Sequence, residues 1–226
     1  MKPANFSRNQ RVVLALSLSS LVSVMLFLLR SVHYASFNYW FLNWNLFLAW
    51  LPLIFAWWLC GYVQKYSWLN WQALALTILW LGFLPNSFYL SSDLIHLQTP
   101  LAGNILYDTV MLLLFSINGY FLGFISLYLI HHQLIKRIKL RYAHTLIALV
   151  LLVCSFAIYL GRFLRWNTWD VLTNPAGLLF DVSDRFIHPT SQPETFLTTA
   201  TFFVLLGSIY IVLWQLVRAL RVEKTA

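Results

Sequence analysis

Hydrophobic residues run along this chain in long continuous blocks, not in alternation. Six blocks stand out, at about 12–30, 43–63, 71–91, 105–131, 143–165 and 197–217. Each is close to the ~20 apolar residues that an α-helix needs to cross a hydrocarbon layer roughly 30 Å thick. Barrel strands would alternate over short segments, so these runs exclude a β-barrel. The pattern predicts an all-α, polytopic membrane bundle of about six transmembrane helices, forming one integral membrane domain over 1–226. No connecting segment is long enough to fold alone. The longest, about Trp166 to Phe196, contains "GLLFDVSDRFIHP". There Leu178, Leu179, Val182 and Phe186 share one helical face, and Asp181, Asp184 and Arg185 fall mostly on the other. Such a segment predicts a short helix lying on the membrane interface.

Polar positions inside the blocks interrupt this picture. The third block reads "ILWLGFLPNSFYLSSDLIHLQTP". Pro85 lacks an amide donor and clashes with the preceding turn, which predicts a proline-broken span with Asn86 near the freed carbonyls. Asn86, Tyr89, Asp93 and His96 then follow at spacings of three, four and three, and form one stripe. In the fourth block Asn104, Asp108, Met111, Phe115 and Asn118 mark one face. A carboxylate at the depth of Asp108 is costly in hydrocarbon, so it should face the interior and have a partner. Gly119 and Gly123 are a small-x-x-x-small pair that lets another helix approach closely.

The fifth block ends in "YLGRFLRWNTWDVLTNP". Arg162 and Arg165 have two readings. In one they complement the helix C-terminus and snorkel to the headgroups, while Asn167 and Asp170 cap a new short helix. In the other, Arg162 faces the bundle and pairs with Asp93 or Asp108, leaving Arg165 for an anion. The polar residues of three spans lie at similar depth, so the second reading implies one shared, outward-facing cavity.

Charge placement sets the threading. The chain is 60% hydrophobic and 10% charged, where soluble domains carry about 25% charged residues. Its net charge of +8 would suggest nucleic acid in a soluble protein. Here eleven of the fifteen Lys and Arg fall on one side of the six-span map, together with both termini. The positive-inside rule makes that side cytoplasmic. Lys136, Arg137, Lys139 and Arg141, in the loop 136–141, attract anionic lipid at that surface, and no nucleic acid is expected. The N-terminal apolar core, Val12 to Leu29, exceeds the roughly 7–15 residues of a signal peptide, so it reads as a retained first span. Cys60 and Cys154 sit in apolar runs with no metal or redox spacing and read as packing residues. His131, His132 and His144 flank the basic loop without the geometry of a metal site.

Three stretches, "LWLGFLPNSFYLSSDLIHL", "YDTVMLLLFSINGYFLGFISLYLIH" and "YLGRFLRWNTWDVLTNP", resemble the bacterial membrane family called domain of unknown function 1361. Pro85, Asn86, Asp93, His96, Tyr107, Asp108, Asn118, Arg162, Arg165, Trp166, Asn167 and Asp170 coincide with its motifs. The resemblance implies a multi-pass protein of the bacterial inner membrane and carries no activity with it.

Three functions fit the residues. A binding or transport protein would use the polar cluster as an outward-facing cavity for an anionic or proton-coupled small solute. An intramembrane enzyme would use an Asp93–His96 site at the outer face, either as a base or with Asp108 as a metal-binding set, with His188 as an extra ligand. A structural partner of another membrane protein, or of a second copy, would use the cluster as a brace. No motif of a named reaction is present, and no cofactor or metal is expected.

Overall fold

The computed structural model describes residues 8–98 and 104–222. It consists of α1 (Arg8–His33), α2 (Phe41–Val63), α3 (Trp71–Tyr89), a 3-10 helix (Leu90–Gln98) continuing α3, α4 (Ile105–Leu134), α5 (Leu140–Phe163), α6 (Asp170–Thr173), α7 (Pro175–Ile187), a 3-10 turn (Pro189–Ser191) and α8 (Pro193–Val222). Among the described residues, six helices, counting α3 with its continuation, are long and apolar enough to cross a membrane. The fold is an all-α polytopic bundle, and the protein is a multi-pass membrane protein. Lys2 and Lys224, two of the eleven basic residues counted above, lie outside the described residues.

The two ends of the bundle are distinct. At one, Arg137 donates from Nη2 to the Val63 carbonyl (2.5 Å) and its guanidinium lies 5.4 Å from the Trp68 ring. This joins the α2–α3 and α4–α5 connections, and we call it the basic-loop end. At the other, the Asn104 amide donates to the Tyr34 hydroxyl (3.0 Å), and Arg162 closes α5. We call it the arginine end.

Helix α4 packs against α1, α2 and α3. Its glycines explain the close approach of α3. A Cβ at Gly119 would stand 2.2 Å from the Ser87 carbonyl oxygen, and one at Gly123 would stand 2.7 Å from the Phe88 ring. The small-x-x-x-small pair is therefore a packing device. Met111, Phe115 and Asn118 are buried with Asp108, as their shared face requires. Cys60 and Cys154 are buried free thiols.

Pro85 does not break its helix. It lies inside α3, which continues to Tyr89. Asn86 Nδ2 donates to the Phe83 carbonyl (3.1 Å), one turn back, and neighbouring helices cover the segment. The winding changes one turn later than expected, at Leu90. There the Ser91 and Ser92 hydroxyls donate to the Phe88 and Tyr89 carbonyls (2.7 Å each), and Ser116 Oγ donates to the Leu90 carbonyl (3.0 Å). Hydroxyls that claim carbonyls three residues back, with a neighbour claiming another, favour tighter winding.

The long connection after α5 does form a helix, α7, with Asn174 accepting from the Gly177 amide (3.1 Å) and Pro175 at its first position. Arg185 does not join the exposed polar face. It is buried, with Nε donating to the Tyr159 hydroxyl (3.2 Å) and Nη1 to Asp184 (2.6 Å). A long arginine stem can lie along apolar surface while its head reaches partners.

Candidate functional site

A cavity of about 880 Å³ lies at the arginine end, lined by α2, α3 with its 3-10 continuation, α5 and the connection after it. Its floor is the α3 stripe of Gly82, Pro85, Asn86 and Tyr89, continued by Asp93 and His96. The 3-10 winding matters here. At three residues per turn, positions i and i+3 eclipse, so Asp93 and His96 stand on the same edge.

Asp93 is the most enclosed of these groups, with its side chain 1% exposed. It pairs with Arg162 through Nη2 and accepts from Asn45 Nδ2 at 3.1 Å. Arg162 also donates from Nε and Nη2 to Ser92 Oγ (3.1 and 2.7 Å), and its Nη1 lies 3.4 Å from His96 Nε2. Its guanidinium sits 4.6 Å from the Tyr89 ring centre, a cation–π distance. The absence of a side chain at Gly161 permits this arrangement, because a Cβ there would stand 2.9 Å from Tyr89 Cε2. The Tyr89 hydroxyl donates to the Gly161 carbonyl (3.4 Å) and holds the ring across the end of α5. Arg162 remains 16% exposed, toward the cavity.

Arg165 differs. It lines the cavity and is exposed, with a left-handed backbone (φ 59°). That conformation turns the chain so that the Trp166 amide donates to the Leu160 carbonyl (3.2 Å) and closes α5. Glycine usually takes such a position, because a side chain there costs about 1 kcal/mol or more. Among the described residues, no carboxylate lies within ion-pair distance of Arg165. With Asp93 and Arg162 cancelling, the formal charge facing the cavity is the one on Arg165.

Asn86, Trp166 and Asp170 shape the connection. Asn86 Nδ2 donates to Thr168 Oγ1 (2.9 Å), and Trp166 Nε1 to Asp181 (2.8 Å). Asp170 accepts from the Asn167 amide (2.6 Å) and from Asn167 Nδ2 (3.3 Å), so it closes a turn and does not line the cavity. Asn167 does line it, but begins no helix. The short helix starts at Asp170, which takes the acidic position of the capping arrangement.

The single cavity expected from the polar residues of three spans separates into two places. Asp108 and Asn118 lie on the α1 side of α4. Arg30 donates to Asp108 from Nε (2.5 Å) and Nη2 (3.0 Å), with side chains 1% and 6% exposed. The Tyr39 hydroxyl lies 3.5 Å from the same carboxylate, and its ring centre lies 4.4 Å from the guanidinium. Burial pushes the Tyr39 phenol above its usual range, and the Asp108 charge adds to the shift. Asn118 Nδ2 donates to Ser23 Oγ (3.0 Å) and the Leu114 carbonyl (2.8 Å). A helical stripe says which residues share a face, but not which neighbour that face meets. Asp108 therefore cannot complete a metal set with Asp93 and His96, and among the described residues no three His, Cys, Asp or Glu side chains converge. His188 is exposed and bonds Asp184 (2.9 Å) instead.

Three site residues went unread in the sequence: Arg30, Asn45 and Ser92. For Arg30 the available signal is a charge at the end of the first span, at the depth of Asp108. Asn45 is, with Asn43, one of two polar residues at the start of the second span.

A family model described as "Protein of unknown function (DUF1361)" matches residues 44–209. The chain belongs to that family. No curated protein and no solved structure matches it. The DUF1361 segment contains Asn45, Asp93, His96, Arg162 and Arg165, the polar corner of the cavity. Arg30 and Tyr39 precede it.

Proposed function

We propose that this DUF1361 protein is a binding and transport protein of the bacterial inner membrane, and that its cavity takes an anion. The observation that carries the reading is Arg165, an uncompensated cation lining a cavity whose other buried charges cancel. A strained backbone kept at an exposed arginine is easier to understand if the side chain meets a ligand. Arg162 adds a second contact, since it also lines the cavity and has one Nη1 donor beyond those given to Ser92, Asp93 and His96. The arginine end faces outward, both termini are cytoplasmic, and α7 lies on the outer interface. The exposed residues Lys136, Arg137, Lys139 and Arg141 meet anionic lipid on the cytoplasmic side. Arg30 ties α1 to α4 through Asp108.

Equilibrium binding of radiolabelled phosphate to the purified protein tests the anion site. Binding that weakens about tenfold in Arg165→Gly is expected for the loss of one charge-assisted contact. Equal binding by the two proteins would remove the reading. Phosphate flux into proteoliposomes, measured for the same pair, tests transport separately.

The brace reading keeps support at the other ion pair. Arg30 and Asp108 are closed off from the large cavity, and they join α1 to α4.

A further inference from the structure

The cavity is not a pore between helices but a groove along α3. Its floor is the stripe from Gly82 to His96, and its walls are α2 and α5, both packed on α3. The charged corner occupies only one end. Val153, which also lines the cavity, is nine residues before Arg162 on α5, about 13 Å away at 1.5 Å per residue. Val153 is 59% exposed and Leu81, on the floor, is 36% exposed, although both lie well inside their spans. Residues that line a cavity and also show on the flank of a spanning helix mean that the cavity opens sideways. In a membrane that side is hydrocarbon. The polar end carries Arg165 and Arg162, while the rest of the cavity is lined by apolar side chains such as Leu48, Leu81, Val153, Ala157 and Leu160.

We propose that the occupant is an anionic amphiphile, with its phosphate or carboxylate headgroup at Arg165 and Arg162 and its hydrocarbon chain in the groove along α3. This rests on the anion reading above and names the class of ligand. A free small anion would use the arginines and leave the groove unfilled. An amphiphile matches both ends, and it reaches the site by lateral diffusion with its chain never leaving an apolar medium. The chain therefore contributes mainly by concentrating the headgroup at the depth of the arginines, since bilayer and groove are similarly apolar. Aromatic side chains at the mouth, Trp40, Trp44 and Trp169, suit the headgroup boundary.

The test uses the full chain in nanodiscs of zwitterionic lipid, with radiolabelled dodecyl phosphate and inorganic phosphate as probes. Two variants accompany the natural protein. Arg165→Gly removes the headgroup contact at a position that glycine favours. Ala157→Phe fills the groove five residues, about 7.5 Å along α5, before Arg162. The expected result is that dodecyl phosphate binds at least about a hundredfold more tightly than phosphate, as chain partitioning provides. Arg165→Gly should weaken both probes about tenfold. Ala157→Phe should weaken dodecyl phosphate severalfold without changing phosphate. If phosphate binds as tightly as dodecyl phosphate, or if Ala157→Phe changes neither probe while Arg165→Gly changes both, the site takes a small anion and the amphiphile proposal is overturned. If Arg165→Gly changes neither probe, the anion reading fails and the proposal with it. Unfolding midpoints of both variants, measured in the same nanodiscs, separate lost binding from lost folding.

Discussion

Asp93–Arg162 and Arg30–Asp108 join the same two chemical groups within one bundle, yet their surroundings differ. Arg30 and Asp108 are sealed, 1% and 6% exposed, and a tyrosine ring covers the guanidinium. Arg162 is 16% exposed to a cavity that a second arginine also lines. The sealed pair must satisfy itself, because removing either partner strands a charge in an apolar interior. The cavity pair has access to outside groups, so it can exchange interactions with a ligand. Enclosure, more than chemistry, distinguishes the brace from the site.

The sealed pair should give the largest effect. Asp108→Leu or Arg30→Leu alone should lower stability by about 3–5 kcal/mol, and the double substitution should recover most of it. Thermal unfolding in detergent, run as a double-mutant cycle, reads this. Additive losses would mean that the pair is not a unit and would erase the contrast.

Gly119→Ala comes next. Its new Cβ would meet a backbone oxygen at 2.2 Å, so α3 and α4 must separate, at about 1–3 kcal/mol. Because Ser87 and Leu90 lead into the 3-10 segment, anion binding should fall as well. Unfolding and phosphate binding measured on the same preparation test both effects. Unchanged stability would show that the helices are not in the tight contact described.

Asp93→Asn should be milder, at about 1–2 kcal/mol, since Arg162 keeps Ser92, His96 and the cavity. It should also strengthen anion binding by several-fold, because the carboxylate no longer neutralises Arg162. A titration with phosphate decides this, and weaker binding would make Asp93 a contributor to the site rather than a mask over Arg162.

The smallest structural effect belongs to Arg165→Gly. Relief of the left-handed backbone should leave stability unchanged or raise it by up to about 1 kcal/mol, while anion binding falls about tenfold. A clear drop in the unfolding midpoint would instead make Arg165 a structural cap and move the site's function elsewhere.

Much of this molecule is written along the chain. Continuous apolar blocks determine six spans, because a helix in hydrocarbon must bond its own backbone over a set length. Gly119 and Gly123 declare a close helix contact by their size and spacing. Asp93, His96 and Arg162 come together as the cost of buried charge requires. What the chain could not declare is which helix each polar face meets. Arg162 had two plausible acidic partners, and only the packing of the helices gave it Asp93 and brought Arg30 of α1 to Asp108 of α4. Pro85 carries the means to break a helix, yet the neighbouring segments and Asn86 keep α3 continuous, and serine hydroxyls shift the change of winding to Leu90. The groove exists because α2 and α5 stand apart across α3. Periodicity fixes the direction of a side chain around its own axis, while its partner depends on how whole helices dock, and that was decided only in three dimensions.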